Sequence, residues 1–227
     1  MFYHLVTEVH VSQRTAKNAE TVQDHIAKAT LRLVAERGAD QVTTADVVKT
    51  MGITRAAMAR YCPTESDLWR TTAEFIEQRM AASWLPVLSS DQSPADRLRS
   101  LLAVQIGLIM SMPALREMLF SRGLRGNNAA LRRGLCGVRA RFRSLLCEIL
   151  RDGVRDGQIS PGLDPEKAAR RVTEALQGMV VSWSLDARSD DVIEEAWTRL
   201  DALVGGAARQ RAIGAAGAAA RVSAKGW

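Results

Sequence analysis

From Thr21 to about residue 206 the apolar residues of this chain recur at steps of three and four, and no stretch alternates with a period of two. An α-helix turns once every ~3.6 residues, so this spacing gathers the apolar residues of each segment on one face. Such a chain folds as packed helices, and its start and stop signals divide it. A first helix runs from Thr21, with Ile26, Thr30, Leu33, Val34 and Arg37 on one face, and Gly38 ends it. A second spans Thr43 to Met51, a third runs from Thr54 to about Tyr61 before Pro63, and a fourth runs from Thr64 towards Trp84, where Pro86 intervenes. Ser93-Pro94-Ala95-Asp96 opens a helix carrying Leu98, Leu101, Leu102, Gln105 and Ile109. Pro113 begins a short helix that Gly123 and Gly126 break. Asn127 caps a long one with Leu131, Leu135, Val138, Phe142, Leu145 and Ile149, followed by a turn region from Asp152-Gly153. Asp164-Pro165 caps the next helix, and Ser189 a last one. The fold class is all-α. Residues 1–20 read as a flexible arm, 21–68 as a small bundle, 69–206 as a larger one and 207–227 as a disordered Ala/Gly-rich tail.

Several classes of function are set aside. The longest uncharged run in the apolar middle, Ser100 to Leu115, is 16 residues and includes Gln105 and two serines. A membrane helix needs about 20 apolar residues, so no membrane partner is expected. Three cysteines (Cys62, Cys136 and Cys147) make no even-numbered framework, which points to reduced thiols in a cytoplasmic protein. The three histidines all precede residue 26 and none has metal-ligand spacing with a cysteine. No metal or cofactor is implied. No nucleophile elbow, zinc-protease motif, phosphate loop or dinucleotide-binding glycine pattern occurs, so no enzyme emerges. The net charge of +6 permits a nucleic-acid partner, yet its layout does not name one. Residues 14–83 hold ten basic and nine acidic side chains, whereas residues 120–151 hold eight arginines and one acid.

The informative stretch is Thr43 to Leu68. Thr43 and Asp46 form a capping box that starts the second helix. Val47 and Val48 face inward, Gly52 permits a tight turn, and Ile53 plugs the corner. Thr54 caps a third helix in which Arg55, Ala56, Ala57 and Met58 follow. A short helix with small residues at its start fits the ~12 Å wide major groove of duplex DNA. Arg55 can bond base edges, guanine most naturally, and the Ala56 and Ala57 methyls can meet thymine methyls. Thr43 and Thr44, with the amides at the start of the second helix, can hold a phosphate or serve only as caps.

These residues resemble the helix-turn-helix of the tetracycline-repressor (TetR/AcrR) family of bacterial regulators. Thr43, Val47, Val48, Met51, Gly52, Ile53, Thr54, Met58, Tyr61 and Leu68 occupy matching positions. The specific resemblance covers about residues 21–80, and Leu176–Trp183 looks like the family's penultimate helix. It implies an N-terminal helix-turn-helix domain, a C-terminal effector-binding and dimerisation domain, and a homodimer on a near-palindromic double-stranded DNA operator. Thr64, Arg60, Tyr61 and Lys17 join the residues already named as the DNA-binding set. Three positions depart from the pattern. Ala59 replaces a phosphate-contacting tyrosine, Cys62 replaces a phenylalanine and loosens the corner, and Glu65 stands where the family has a phosphate-attracting lysine. Arg55, Arg60 and the arm residues Arg14 and Lys17 can supply what is lost.

In the larger bundle, Met110, Met112, Met118, Phe120, Phe142 and Leu146 are either core or the lining of an effector cavity. Gln105, polar on an apolar face, is the candidate effector contact, and Ile109 lies beside it. The effector would be a largely apolar small molecule. The arginines at 132, 133, 139, 141 and 143 are a solvated face, or one of them meets an acidic effector. Cys136, among three of them, is the cysteine to test for redox sensing. The family's pairing mode implies a dimer interface from Leu176, Met179, Val180 and Trp183 of the penultimate helix and Ile193, Trp197, Leu200 and Val204 of the last. The leading reading is a DNA-binding repressor released from its operator by the effector. The alternatives are an effector-independent DNA-binding or co-regulator protein, and an all-α carrier of small molecules with no DNA role.

Overall fold

The computed structural model describes residues 21–121, 128–185 and 198, with the backbone alone at 119, 120 and 181–185. Eight α-helices and one short 3-10 turn make up the described structure, and no strand occurs among the described residues. The helices are α1 (Val22–Arg37), α2 (Thr44–Met51), α3 (Arg55–Ala59), α4 (Glu65–Leu88), α5 (Pro94–Ser111), α6 (Pro113–Phe120), α7 (Ala129–Arg155) and α8 (Pro165–Leu185).

Local chemistry sets most of the boundaries. Thr21, Thr43 and Thr64 each accept the backbone N–H of an aspartate three residues on, and that aspartate bonds back to the threonine's own N–H. These reciprocal boxes satisfy donors that a helix start leaves orphaned. Ser93 and Asp164 cap α5 and α8 through the N–H groups of Asp96 and Lys167.

Three boundaries differ from the sequence reading. Helix α4 runs through Pro86 to Leu88. The proline sits in the last turn, between the buried Trp84 and Val87, and their burial holds that turn against the core. Asn128, not Asn127, caps α7, its side chain accepting from the Leu131 N–H. Helix α7 also continues past Gly153 to Arg155. A Cβ at Gly153 would lie 2.5 Å from Ile159 Cδ1, so this glycine is where Ile159 lies against the helix. The reversal is made instead at Gly157, whose φ is +69°.

Helix α4 is the spine. Its first turns bury Leu68 and Trp69 under α1, and its later turns bury Ile76, Met80 and Trp84 between α5 and α7. One continuous core results, and the division expected after residue 68 falls inside α4. Helices α4 and α7 pack closely at Gly134, where a Cβ would stand 2.4 Å from that of Ala73. Trp84 and Phe142 meet with ring centroids 5.4 Å apart. Helix α6 lies across α1, and Ser121 just beyond it donates to Asp40 at 2.9 Å.

Candidate functional site

Helices α2 and α3 form a corner on the surface of the small bundle. Gly52 adopts the left-handed conformation (φ 65°, ψ 27°), and its N–H returns to α2 carbonyls. Only glycine enters that region without a steric cost, which is why the turn can be this tight. Val47 and Met58 anchor the two helices from beneath, fully buried, with Ile53 half-buried between them. The outward faces are then fixed. Thr54, Arg55, Ala56, Arg60 and Tyr61 are exposed, and Thr44 and Ala57 are half-buried. Neither Arg55 nor Arg60 makes an ion pair among the described residues, so both guanidiniums keep their donors for another molecule. The Thr54 hydroxyl accepts from the Ala57 N–H, which leaves its proton to donate elsewhere.

Thr43 and Thr64 differ from the rest of the set. Each accepts an aspartate N–H and donates its proton to the same aspartate's carboxylate, Asp46 at 2.5 Å and Asp67 at 2.6 Å. Their hydroxyls are engaged within the fold as helix caps. The bonds from Thr43 hold the Asp46 carboxyl below the usual range, and Arg37 adds to the effect. Asp67 is lowered likewise by Thr64, then Arg70. Arg14 and Lys17 lie outside the described residues.

The departures from the family pattern have structural consequences. Cys62 is fully buried, its sulfur 3.5 Å from the Thr71 hydroxyl, and burial pushes its thiol up. Beside it a cleft of about 260 Å³ opens between α2 and α3, edged by Val48, Met58, Ala59 and Pro63. Small residues at 59 and 62 leave this space. Glu65, exposed at the start of α4, accepts the Trp69 indole N–H at 3.4 Å.

The larger bundle holds a cavity of about 320 Å³. Ile76 and Met80 of α4, Gln105 and Ile109 of α5, and Leu115 of α6 form one wall. Leu135, Val138 and Phe142 of α7, with Thr173, Leu176 and Val180 of α8, form the other. Arg132, Cys136, Arg139 and Gln177 complete the lining. Three residues expected here are present: Gln105, Ile109 and Phe142. Met112, Met118 and Leu146 are instead fully buried in packed core, because their helices turn Leu115 and Val138 to the cavity in their place. The side chain of Phe120 is not described, and Met110 is 39% exposed. Trp84 Nε1 donates to Gln105 Oε1 at 2.9 Å, which accounts for the polar residue on an apolar face.

Three of the expected dimer residues have described side chains. Leu176 and Val180 face the cavity, and Met179 is buried within the subunit, since the apolar stripe of α8 packs on α7. Trp183 is described by backbone only, and Ile193, Trp197, Leu200 and Val204 lie outside the described residues. Of the arginines on α7, Arg141 pairs with Glu77 of α4 at 3.4 Å, while Arg133 and Arg143 are exposed. Cys136 is exposed, unlike Cys62 and Cys147.

Two physical links join cavity and corner. Helix α4 carries Ile76 and Met80 at the cavity, packs its first turns on α1, and sets Thr71 beside Cys62 just past the corner. Helix α6 carries Leu115 at the cavity and leads to the Ser121–Asp40 bond beside α1. The second link rests on Leu115, Ser121 and Asp40, which sequence reasoning did not single out; helical spacing places Leu115 between Met112 and Met118 without saying which faces inward.

Among the described residues no helix is long and apolar enough to cross a membrane, and no cluster of potential metal ligands occurs. The chain matches no family model. A nucleoid occlusion factor SlmA from Marinobacter nauticus is 26% identical over 183 residues, spanning 77% of this chain and 91% of that protein. Among solved structures, a TetR transcription regulator from Haloarcula marismortui aligns with a TM-score of 0.70 at 21% identity, covering 80% of this chain and 95% of that one. The transcriptional regulator FadR from Bacillus subtilis, solved with stearoyl-CoA, gives 0.66 at 20% identity, covering 80% of this chain and 97% of that one.

Proposed function

Proceeding from a chain that has the fold of the TetR-family transcriptional regulators, we propose that it is a sequence-specific DNA-binding repressor, acts as a homodimer, and leaves its operator when a small molecule fills the α4–α8 cavity. The observation that carries this reading is the α2–Gly52–α3 corner, with unpaired Arg55 and Arg60 and with Thr54, Ala56 and Tyr61 exposed. Arg55 reads a base edge from the start of α3. Thr44, Arg60 and Tyr61 meet phosphates, and Lys17 adds a contact from the arm. Two-fold pairing sets two such helices about 34–36 Å apart, one turn of DNA. An effector bound to the cavity moves α4 and α6 and changes that spacing. It does so only to the extent that it binds the two arrangements with unequal affinity.

Sequencing genomic DNA recovered on the purified protein tests the reading. An enriched near-palindrome is the expected result, and no enrichment at moderate salt overturns it. Arg55→Gln is expected to relax preference at one base position, at a cost of about 1–3 kcal/mol. Lys17→Gln is expected to weaken all sequences alike and reduce the salt slope by about 1. A second reading draws on the curated relatives, which are nucleoid occlusion factors. It is a DNA-bound factor that needs no small-molecule effector. The cavity favours the first reading over the second.

A further inference from the structure

The charged groups around the cavity are hydrogen-bond donors. Of the described side chains that line it, the only charged ones are Arg132 and Arg139, and none is acidic. These arginines stand seven residues apart on α7, which is two helical turns, so both guanidiniums lie along one lip. Arg139 donates to the neutral Gln177 Oε1 of α8 at 3.3 Å. Neither arginine meets a carboxylate among the described residues. Arg141, on the adjoining face, is by contrast held by Glu77.

The interior adds a third donor. An indole N–H can only donate, so the Gln105 atom facing Trp84 is the amide oxygen. The amide nitrogen is thereby turned the other way. Gln105 is 8% exposed, and its two N–H groups find no acceptor among the described residues. The Thr173 hydroxyl spends its proton on the Ala169 carbonyl at 2.7 Å. A ligand that satisfies this lining supplies acceptors and negative charge at the lip and apolar surface against Ile76, Met80, Leu115 and Phe142.

The geometry points to a small amphipathic carboxylate as the molecule this cavity takes, its head group held by Arg132 and Arg139 and its apolar body inside. Guanidinium groups match carboxylate geometry and form the stronger, charge-assisted bonds. A volume of 320 Å³ stands at the small end of ligand pockets, which run from about 300 to 1,000 Å³, so the molecule is small. A carboxylate at the lip also competes with Gln177 for Arg139, so binding alters the contact between α7 and α8.

This inference rests on the effector-binding part of the proposed function but not on the DNA-binding part. It is tested by titration calorimetry on the full-length protein without DNA, using octanoate, 1-octanol and octylamine as probes of one chain length and three charges. Octanoate is expected to bind at least tenfold more tightly than either of the others. In the variant R132Q/R139Q that advantage falls tenfold or more, with 1-octanol affinity unchanged. The inference is overturned if 1-octanol or octylamine binds as well as octanoate. It is also overturned if the double substitution leaves octanoate binding intact, or weakens octanoate and 1-octanol by the same factor. A failure to recover specific DNA would sink the operator reading and leave this titration untouched.

Discussion

The α2–α3 corner and the α4–α8 cavity are built on opposite plans, although one helix serves both. The corner is short-range. Its helices are five and eight residues long, its turn is a single left-handed glycine, and its caps reach three residues. The cavity is long-range, drawing its wall from five helices between Ile76 and Val180. A site made of local chemistry leaves its signature in consecutive residues. A site made of packing does not.

That difference explains what was legible in the sequence. Thr43–Asp46, Gly52 and Thr54 announce the corner because capping and positive φ are each satisfied by few residue types. The all-α class was equally plain from the three-and-four spacing. The cavity lining was not. Helical spacing assigns Met112, Leu115 and Met118 to neighbouring faces, and only packing against α1 and α8 decides that Leu115 lines the space while the two methionines fill core. Leu176 and Val180 line the cavity, and spacing alone reads the same whether such a stripe meets another subunit or its own α7. Proline and glycine misled for a related reason. Pro86 and Gly153 lie within helices because Val87 and Ile159 pack around them.

The largest effect is expected where the two regions share core. Trp84→Ala removes a fully buried ring, its bond to Gln105 and its contact with Phe142, and is expected to cost about 3–5 kcal/mol in denaturant unfolding. Because α4 spans both regions, corner and cavity are expected to melt together. Two separated transitions would show that they are independent units.

Next come the glycines, which separate the two plans. Gly134→Ala sets a Cβ against Ala73 and forces α4 from α7, so it is expected to destabilise by about 1–3 kcal/mol. Gly137→Ala, three residues on with nothing within 4 Å, is expected to stabilise by about 0.5–1 kcal/mol. The two thermal shifts should have opposite signs. In the corner, Gly52→Val meets no atom, so its whole cost is the φ of 65°, about 1–2 kcal/mol. Gly52→Asn is expected to be milder, since asparagine tolerates that region. Equal losses for the two variants, measured by urea titration, would mean that space and not backbone conformation governs the turn.

The caps are comparable to the mildest of these. Thr64→Ala is expected to cost about 1 kcal/mol. Acid tests the same boxes. Asp46 and Asp67 have lower pKa values in the folded chain than in the unfolded one, so they contribute stability above the ordinary carboxylate range. That contribution is lost as pH falls from about 4 towards their folded values. Asp46→Asn is expected to flatten the fall in stability over this window. An unchanged pH profile would show that the box carries no linkage.

The central claim is that the corner presents Arg55 to a base edge. Sequencing the genomic DNA recovered by the wild-type protein and by Arg55→Gln side by side tests it most directly. The account predicts one near-palindromic motif with half-sites about one helical turn apart, and loss of preference at one symmetric pair of positions in the variant. An identical motif from both proteins, or no motif from the wild type, would contradict it.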